Sequence, residues 1–184
     1  MMRRVAVALF VLVLGAGMAH AQSAQKLSVQ GSGALVFPTA TSSDFTTDTK
    51  LGWEAQLRYT FSRFSLGAGY QRAVVFKTST GSGSVSVLFA EPRYVVTAAS
   101  TVAVYLAGRV GLGQLICNPE GDCAPQSAGL ALGGGGGLLF KLSSRVSFDL
   151  GGQYFSTEYT NAPTVGGKTR TGFILARLGV SIGL

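Results

Sequence analysis

Residues 51–61 read LGWEAQLRYTF, and apolar and polar side chains alternate along the whole stretch. Leu51, Trp53 and Leu57 fall on one side of the alternation, and Glu54 and Arg58 fall on the other. Successive side chains of a strand point to opposite faces, whereas the 3.6-residue period of a helix would mix the two sets. The stretch therefore predicts a β-strand with one apolar face and one polar face.

The same alternation recurs along the chain and predicts an all-β fold of eight strands. The other seven alternating stretches are 26–36, 64–74, 84–97, 102–115, 128–142, 146–156 and 171–184. Tight connections alternate with long polar ones, the long ones at about 37–50, 77–83, 116–127 and 157–170. Short turns on one side and longer loops on the other are typical of outer-membrane barrels, in which an even strand number places both termini in the periplasm.

Residues 1–21 have the pattern of a cleaved signal peptide. Two arginines precede an apolar stretch at 5–18, and the small residues of Ala19-His20-Ala21 predict cleavage between Ala21 and Gln22. The apolar stretch is too short for a membrane-spanning helix. The expected mature chain is a single domain, 22–184, exported from the cytoplasm. The chain has a formal charge of +7, but no basic run exceeds two residues, which argues against a nucleic-acid partner.

Two closed architectures fit eight alternating strands: a soluble lipocalin-like barrel with an apolar interior, and a membrane barrel with an apolar exterior. Charges of both signs occur in the strands, as a closed and mutually paired interior would require. Aromatic residues cluster near strand ends, where interfacial belts lie. We therefore predict an up-and-down transmembrane barrel whose lumen holds a charge network of Glu54, Arg58, Glu91, Arg93, Arg109, Lys141, Asp149 and Arg177.

Glycines have a specific place in this prediction, because side chains fill the interior of an eight-stranded barrel. Five glycines share the inward parity, and they leave room for bulky inward residues. The glycines are Gly111, Gly113, Gly133, Gly135 and Gly137, and the bulky residues are Phe89, Tyr105, Phe155 and Phe173. The predicted lumen has five bases and three acids, so waters or loop acids would have to complete its neutralisation.

Three stretches resemble the family of OmpA-like and OmpX-like small outer-membrane β-barrel domains. Residues 128–154, AGLALGGGGGLLFKLSSRVSFDLGGQY, are similar to that family's sixth and seventh strands, and residues 105–113 to its glycine-rich fifth strand. Residues 177–184 look like the C-terminal assembly signal, with Arg177, Gly179, Ile182 and Leu184 at its positions, although the family usually ends in Phe. The resemblance implies an outer-membrane location, contact with lipid and lipopolysaccharide, and recognition by the assembly machinery. It implies no single activity.

Catalysis, cofactors and metals are not expected. Lipid-modifying barrels of this kind use a histidine, and His20, the only histidine, leaves with the signal. Residues 118–122 have two carboxylates, too few oxygens for a calcium site. Two functions remain open: a monomeric structural or surface-interaction barrel, and a narrow pore or OmpW-like conduit for small or apolar solutes.

Cys117 and Cys123 lie in the third long connection. In an exported chain, an even number of cysteines predicts a disulfide. The five residues between them include Pro119 and Gly121 and can turn the chain back on itself. Two thiols without further ligands would make a poor zinc site. We expect the bridge to stiffen an extracellular hairpin and not to hold the barrel.

Overall fold

A computed structural model describes residues 26–39, 49–77, 82–99, 101–118, 128–160 and 168–184. Each of its eight strands pairs antiparallel with its sequence neighbours, and β1 pairs with β8, so the sheet closes into a barrel. The strands are β1 Leu27–Pro38, β2 Lys50–Phe61, β3 Phe64–Lys77, β4 Ser82–Ala98, β5 Val102–Asn118, β6 Gly129–Lys141, β7 Val146–Thr160 and β8 Lys168–Gly183. The predicted fold, an eight-stranded antiparallel up-and-down barrel, is confirmed.

Several strands run further than the alternation of apolar residues indicated. β8 begins at Lys168, and its first residues pair with the end of β7, as in Thr160↔Lys168 and Glu158↔Arg170. β4 likewise begins at Ser82, opposite Asn118 of β5. Backbone pairing does not require apolar side chains, so a ladder continues where the hydrophobic pattern has already ended. Except for Ala98 of β4, the extra residues lie at one end of the barrel, which we call the long-connection end. The opposite end, with both termini of the barrel, is the tight-turn end.

Apolar side chains cover the outside of the barrel. Exposure alternates along β1 with every second residue buried, although the polar and apolar residues of its sequence alternate only weakly. Large aliphatic residues are among the most exposed, with Leu51 at 70%, Leu88 at 65% and Leu106 at 60%. This is the inverse of a water-soluble barrel, and it suits a lipid-facing wall. In the part of the chain that the structure describes, no helix is long and apolar enough to cross a membrane.

Aromatic rings group on the outer surface near both ends of the strands. At the tight-turn end, Phe61 packs between Tyr59 and Phe64, with ring centroids 6.2 and 5.1 Å apart. Towards the long-connection end, Trp53 packs on Tyr70 at 5.6 Å. Amphipathic rings at two levels are what membrane interfaces favour.

The tight turns are held by local polar contacts. Ser62 adopts a left-handed backbone with a φ of 59°, as a two-residue hairpin connection requires. In the turn between β6 and β7, Ser143 Oγ accepts hydrogen bonds from the backbone N–H groups of Arg145 and Val146, at 3.2 and 3.0 Å. These contacts stabilise the tight turns. The tight turns in turn fix the register of the strands that they join.

The charged lumen as the candidate functional site

Seven charged side chains meet inside the barrel, and we call this set the charge network. They come from five strands, and each lies on the inward parity of its strand, so the pleat directs it into the lumen. All seven are at most 5% exposed. The members are Glu54 and Arg58 of β2, Glu91 and Arg93 of β4, Arg109 of β5, Asp149 of β7 and Arg177 of β8.

Glu91 is the centre of the charge network. Its Oε1 accepts hydrogen bonds from Arg58 Nη2 at 2.7 Å and from Arg93 Nε at 2.8 Å. Its Oε2 accepts from Arg109 Nε at 2.9 Å and from Arg177 Nη1 at 3.0 Å. A carboxylate with no solvent exposure is thus bonded to four guanidinium groups from four strands. Such charge-assisted bonds are the strong ones in a protein interior.

The other two carboxylates extend the charge network to both sides. Glu54 joins Arg109 at 2.9 Å and Arg177 at 3.1 Å. Asp149 accepts from Arg93 Nη1 at 2.5 Å and from the hydroxyl of Tyr105 at 2.7 Å. Each of these acids therefore bonds to side chains of strands that do not pair with its own strand. The charge network thus links strands across the lumen.

Two aromatic rings support the arginines from the side. The guanidinium carbon of Arg93 lies 4.3 Å from the ring centroid of Tyr105, and that of Arg109 lies 3.7 Å from the ring centroid of Phe89. A cation over an aromatic face is attracted by the ring, more strongly where water is excluded. The rings therefore stabilise the arginine positions as well as filling space.

Three buried glutamines belong to this site, although the sequence analysis did not assign them to it. Gln56 Oε1 accepts from Arg58 Nη2 at 2.7 Å, and Gln71 Oε1 accepts from Arg109 Nη1. Gln30 Nε2 donates to Asp149 Oδ2 at 3.1 Å. Their inward parity was the available signal, because a buried amide needs a partner as much as a charge does.

An apolar cluster fills the lumen between the charge network and the long-connection end. It is built from inward residues that are buried almost completely, and Phe155 and Phe173 stack in it with centroids 5.3 Å apart. Its members are Ala34, Val36, Ala73, Val75, Val85, Val87, Phe89, Ala131, Phe155, Phe173 and Leu175. The sequence analysis foresaw the aromatic members but not the valines. The lumen is consequently closed by hydrophobic packing as well as by charge.

Inward glycines lie where bulky lumen residues need room. A Cβ added at Gly133 would lie 2.6 Å from a ring carbon of Phe155, and one at Gly113 would lie 2.5 Å from the Thr157 methyl. Both distances are too short for real atoms. Glycines of β5 and β6 therefore leave room for inward side chains of β7, as the sequence analysis expected for Phe155.

The remaining predicted residues are placed as follows. Lys141 is partly buried at the end of β6, beside the turn to β7. Gly179 of β8 packs against Ser32 of β1, and Ile182 and Leu184 are 52% and 64% exposed. Ala21, Gln22 and Cys123 lie outside the described residues. The placement of Cys117 in the third long connection was wrong, because β5 continues to Asn118 and Cys117 pairs with Gly83 of β4. The described residues include no group of three His, Cys, Asp or Glu side chains that could hold a metal ion.

A closed eight-stranded barrel with an apolar wall and a charged lumen is the architecture of the small outer-membrane β-barrel proteins. No protein-family model and no curated protein sequence matches the chain. Similar solved structures belong to that class. Neisserial surface protein A has a TM-score of 0.69 at 20% identity, covering 89% of this chain and 100% of that one. Ail of Yersinia pestis has 0.52 at 16%, covering 85% and 98%. OprH of Pseudomonas aeruginosa has 0.53 at 17%, covering 84% and 99%. These likenesses support the outer-membrane barrel fold and do not single out the OmpA-like and OmpX-like domains.

Proposed function

We propose that this chain is a non-conducting barrel of the bacterial outer membrane with a structural or surface-interaction role. In this role the barrel anchors the segments at its long-connection end, which contact ligands, other cells or lipopolysaccharide. The observation that carries the proposal is the closed lumen. The charge network crosses the interior at one level, and the apolar cluster fills it at the next.

The closed lumen favours this role over the alternative, a narrow pore or OmpW-like conduit. A solute passing along the axis would have to displace both Phe155 and Phe173 and the buried arginine–carboxylate bonds. Breaking buried ion pairs is costly, because it leaves uncompensated charge in a water-poor interior. An axial path is therefore unfavourable in the resting barrel.

The finer features of the proposal come from the sequence. We propose periplasmic termini, with the long-connection end outside the cell, because short turns lie on the periplasmic side of such barrels. Kinship with the OmpA-like and OmpX-like domains, and recognition of residues 177–184 by the assembly machinery, belong to the same proposal. We further propose that the chain is not an enzyme, since the only histidine precedes the predicted cleavage site.

Planar-bilayer recording tests the non-conducting role. Refolded protein is expected to give no stable, reproducible openings. A matched variant, Phe155→Ala with Phe173→Ala, removes the bulk of the apolar cluster while keeping the charge network, and should remain closed at the charges. Reproducible openings of the unaltered protein would overturn the closed-barrel proposal.

Location and display need a separate experiment. Folded outer-membrane barrels resist SDS until heated, so the chain should fractionate with the outer membrane and migrate differently in boiled and unboiled samples. Bacteria displaying the full chain are expected to bind cultured epithelial cells better than bacteria whose barrel has residues 40–48 and 161–167 shortened. Equal binding at equal surface amounts would contradict the display role.

A further inference from the structure

A small cavity lies in the lumen between the charge network and the tight-turn end. Its volume is about 40 Å³, and Arg58, Arg93, Ser28, Ser65 and Ser147 are among its lining residues. A single water needs on the order of 10–15 Å³ measured in this way, so the cavity has room for roughly three water-sized occupants. The serines lie second in β1, β3 and β7, which places the cavity just inside the turns.

The two arginines of the cavity have unused donors. Among the described residues, Arg58 Nε and Arg93 Nη2 are buried and have no hydrogen-bond acceptor. Both residues are only 5% exposed. Native structures rarely leave buried donors unpaired, and a charged donor without an acceptor is especially unfavourable. Gln30 also lines the cavity, and its Oε1 is a buried acceptor without a partner among the described residues. No hydrogen bond joins Gln30 Oε1 to either arginine, so both donors need a further acceptor in the cavity.

The charges of the lumen indicate what kind of acceptor is needed. The charge network holds four arginines and three carboxylates, which leaves one positive charge in excess. Within the described part of the chain, no acidic residue lines the cavity. Glu91 and Asp149 approach the two arginines through other nitrogens, Arg58 Nη2 and Arg93 Nε and Nη1. Both arginines with these free donors line the cavity, and the charge network to which they belong carries one excess positive charge.

We propose that this cavity is a binding site for a small monovalent anion of the size of chloride, held between Arg58 Nε and Arg93 Nη2. The hydroxyls of Ser28, Ser65 and Ser147 can turn to donate to the same ion or to a water beside it. Water alone would satisfy the donors but would leave the excess charge uncompensated. A doubly charged anion would overcompensate it. The anion completes the charge network and makes the stability of the barrel depend on the anion in solution.

Bromide, which replaces chloride and scatters anomalously, locates the site directly. Crystals of the refolded barrel grown in sodium bromide should show an anomalous peak at hydrogen-bond distance from both free donors. The peak should persist in Arg170→Gln, whose arginine instead bonds Ser156 at the long-connection end. It should vanish in Arg58→Gln, which removes one donor and balances three arginines against three carboxylates. An unaltered protein with only water density in the cavity, or a peak retained in Arg58→Gln, overturns the proposal.

Unfolding in urea gives an independent measurement, because guanidinium chloride would itself supply the anion. At constant ionic strength, replacing gluconate with chloride at about ten times its Kd should lower the unfolding constant roughly tenfold. Arg170→Gln should show the same effect and Arg58→Gln none. An equal response of both variants, or none in the unaltered protein, overturns the proposal. If Arg58→Gln fails to fold, the bromide peak in the unaltered protein and Arg170→Gln decides.

Discussion

The hydroxyl of Tyr105 occupies the space that a side chain at Gly137 would need. A Cβ added at Gly137 would lie 2.6 Å from Tyr105 Oη, and one at Gly151 would lie 2.7 Å from the same atom. Tyr105 uses this space to donate to Asp149 Oδ1 while its ring lies beneath Arg93. Two glycines on neighbouring strands therefore allow one tyrosine to connect the barrel wall to the charge network.

Gly137→Ala should destabilise the barrel, because the new methyl group would overlap the backbone carbonyl oxygen of Leu150 and lie 2.6 Å from Tyr105 Oη, so that the β7 backbone and Tyr105 would both have to move. Overpacking of this kind typically costs about 1–3 kcal/mol in the free energy of unfolding. Gly134→Ala in the same strand is the matched control, since a Cβ there would meet its nearest atom at 3.9 Å. Urea titration of both variants measures the difference. Equal stabilities would show that the close packing around Gly137 does not constrain the barrel.

Glu91→Gln should be among the most destabilising single changes. It leaves Arg58, Arg93, Arg109 and Arg177 around a neutral amide, and removing one partner of a buried ion pair typically costs about 3–5 kcal/mol. Glu158→Gln, at an exposed position near the end of β7, is the control and should change stability little. The unfolding free energies in urea measure both effects. Similar values for the two variants would contradict a central role for Glu91.

Simultaneous replacement of Glu54 and Asp149 by alanine should lower the free energy of unfolding by several kcal/mol, so the barrel should unfold at a lower temperature. The double variant leaves four buried arginines facing Glu91 alone. The temperature at which the barrel loses its compact migration on an unboiled gel gives the measurement. Thermal stability equal to that of the unaltered protein would refute the idea that these acids balance the arginines.

Trp53 should report the lipid environment of the outer wall. It is the only tryptophan, it is 51% exposed on the outward face, and it lies near the start of β2. In vesicles its emission should be blue-shifted relative to the urea-unfolded chain, with strong quenching by lipids brominated close to the headgroup. Val110 is the midpoint of β5. In the double variant Trp53→Phe with Val110→Trp, the fluorescence should instead be quenched most by lipids brominated deep in the acyl chains. Quenching of Trp53 by aqueous iodide alone would place the wall in water.

The cysteine pair should form a disulfide that is separable from barrel folding. Mass spectrometry of the unreduced mature chain should show a mass two hydrogens lower than that of the reduced form. Cys117→Ser should still give the heat-modifiable gel shift, because a disulfide that closes so short a loop contributes little to the stability of the whole barrel. Free thiols in freshly purified protein, or a variant that does not fold, would count against this expectation.

Sequence periodicity was sufficient for the wall of the barrel but not for its interior. The alternation in 51–61 determines which side chains of β2 face inwards, and a strand has only two faces. The inward position of Glu54 and Arg58 follows from that parity once the apolar face is assigned to lipid. Their partners do not. Arg177 meets Glu54 across 123 positions of sequence, and the barrel's closure and side-chain rotamers decide which arginine reaches which acid.

The sequence did not predict where the strands end or that the lumen has a polar level and an apolar level, for a related reason. Ser82 and Lys168 lie in polar stretches that carry no hydrophobic pattern, yet their backbones pair with Asn118 and Thr160. Val85 and Val87 face inwards although the rule for a membrane barrel assigns polar residues to that side. Pattern alone does not distinguish a polar lumen from one that is polar at one level and apolar at the next.

The pairing of β1 with β8 also has a kinetic consequence. Glu91 draws its partners from β2, β4, β5 and β8, so its full set exists only after the last strand has joined the first. In a sheet of only β1 to β7, Glu54 and Glu91 lack their ion pairs with Arg177, and the edges of β1 and β7 are unpaired. Ordering seven strands already costs most of the conformational entropy lost on folding, but the ion pairs of Arg177 have not yet formed. The ion pairs of Arg177 are therefore gained only in the step that closes the barrel, and they stabilise the closed sheet over one with an open edge.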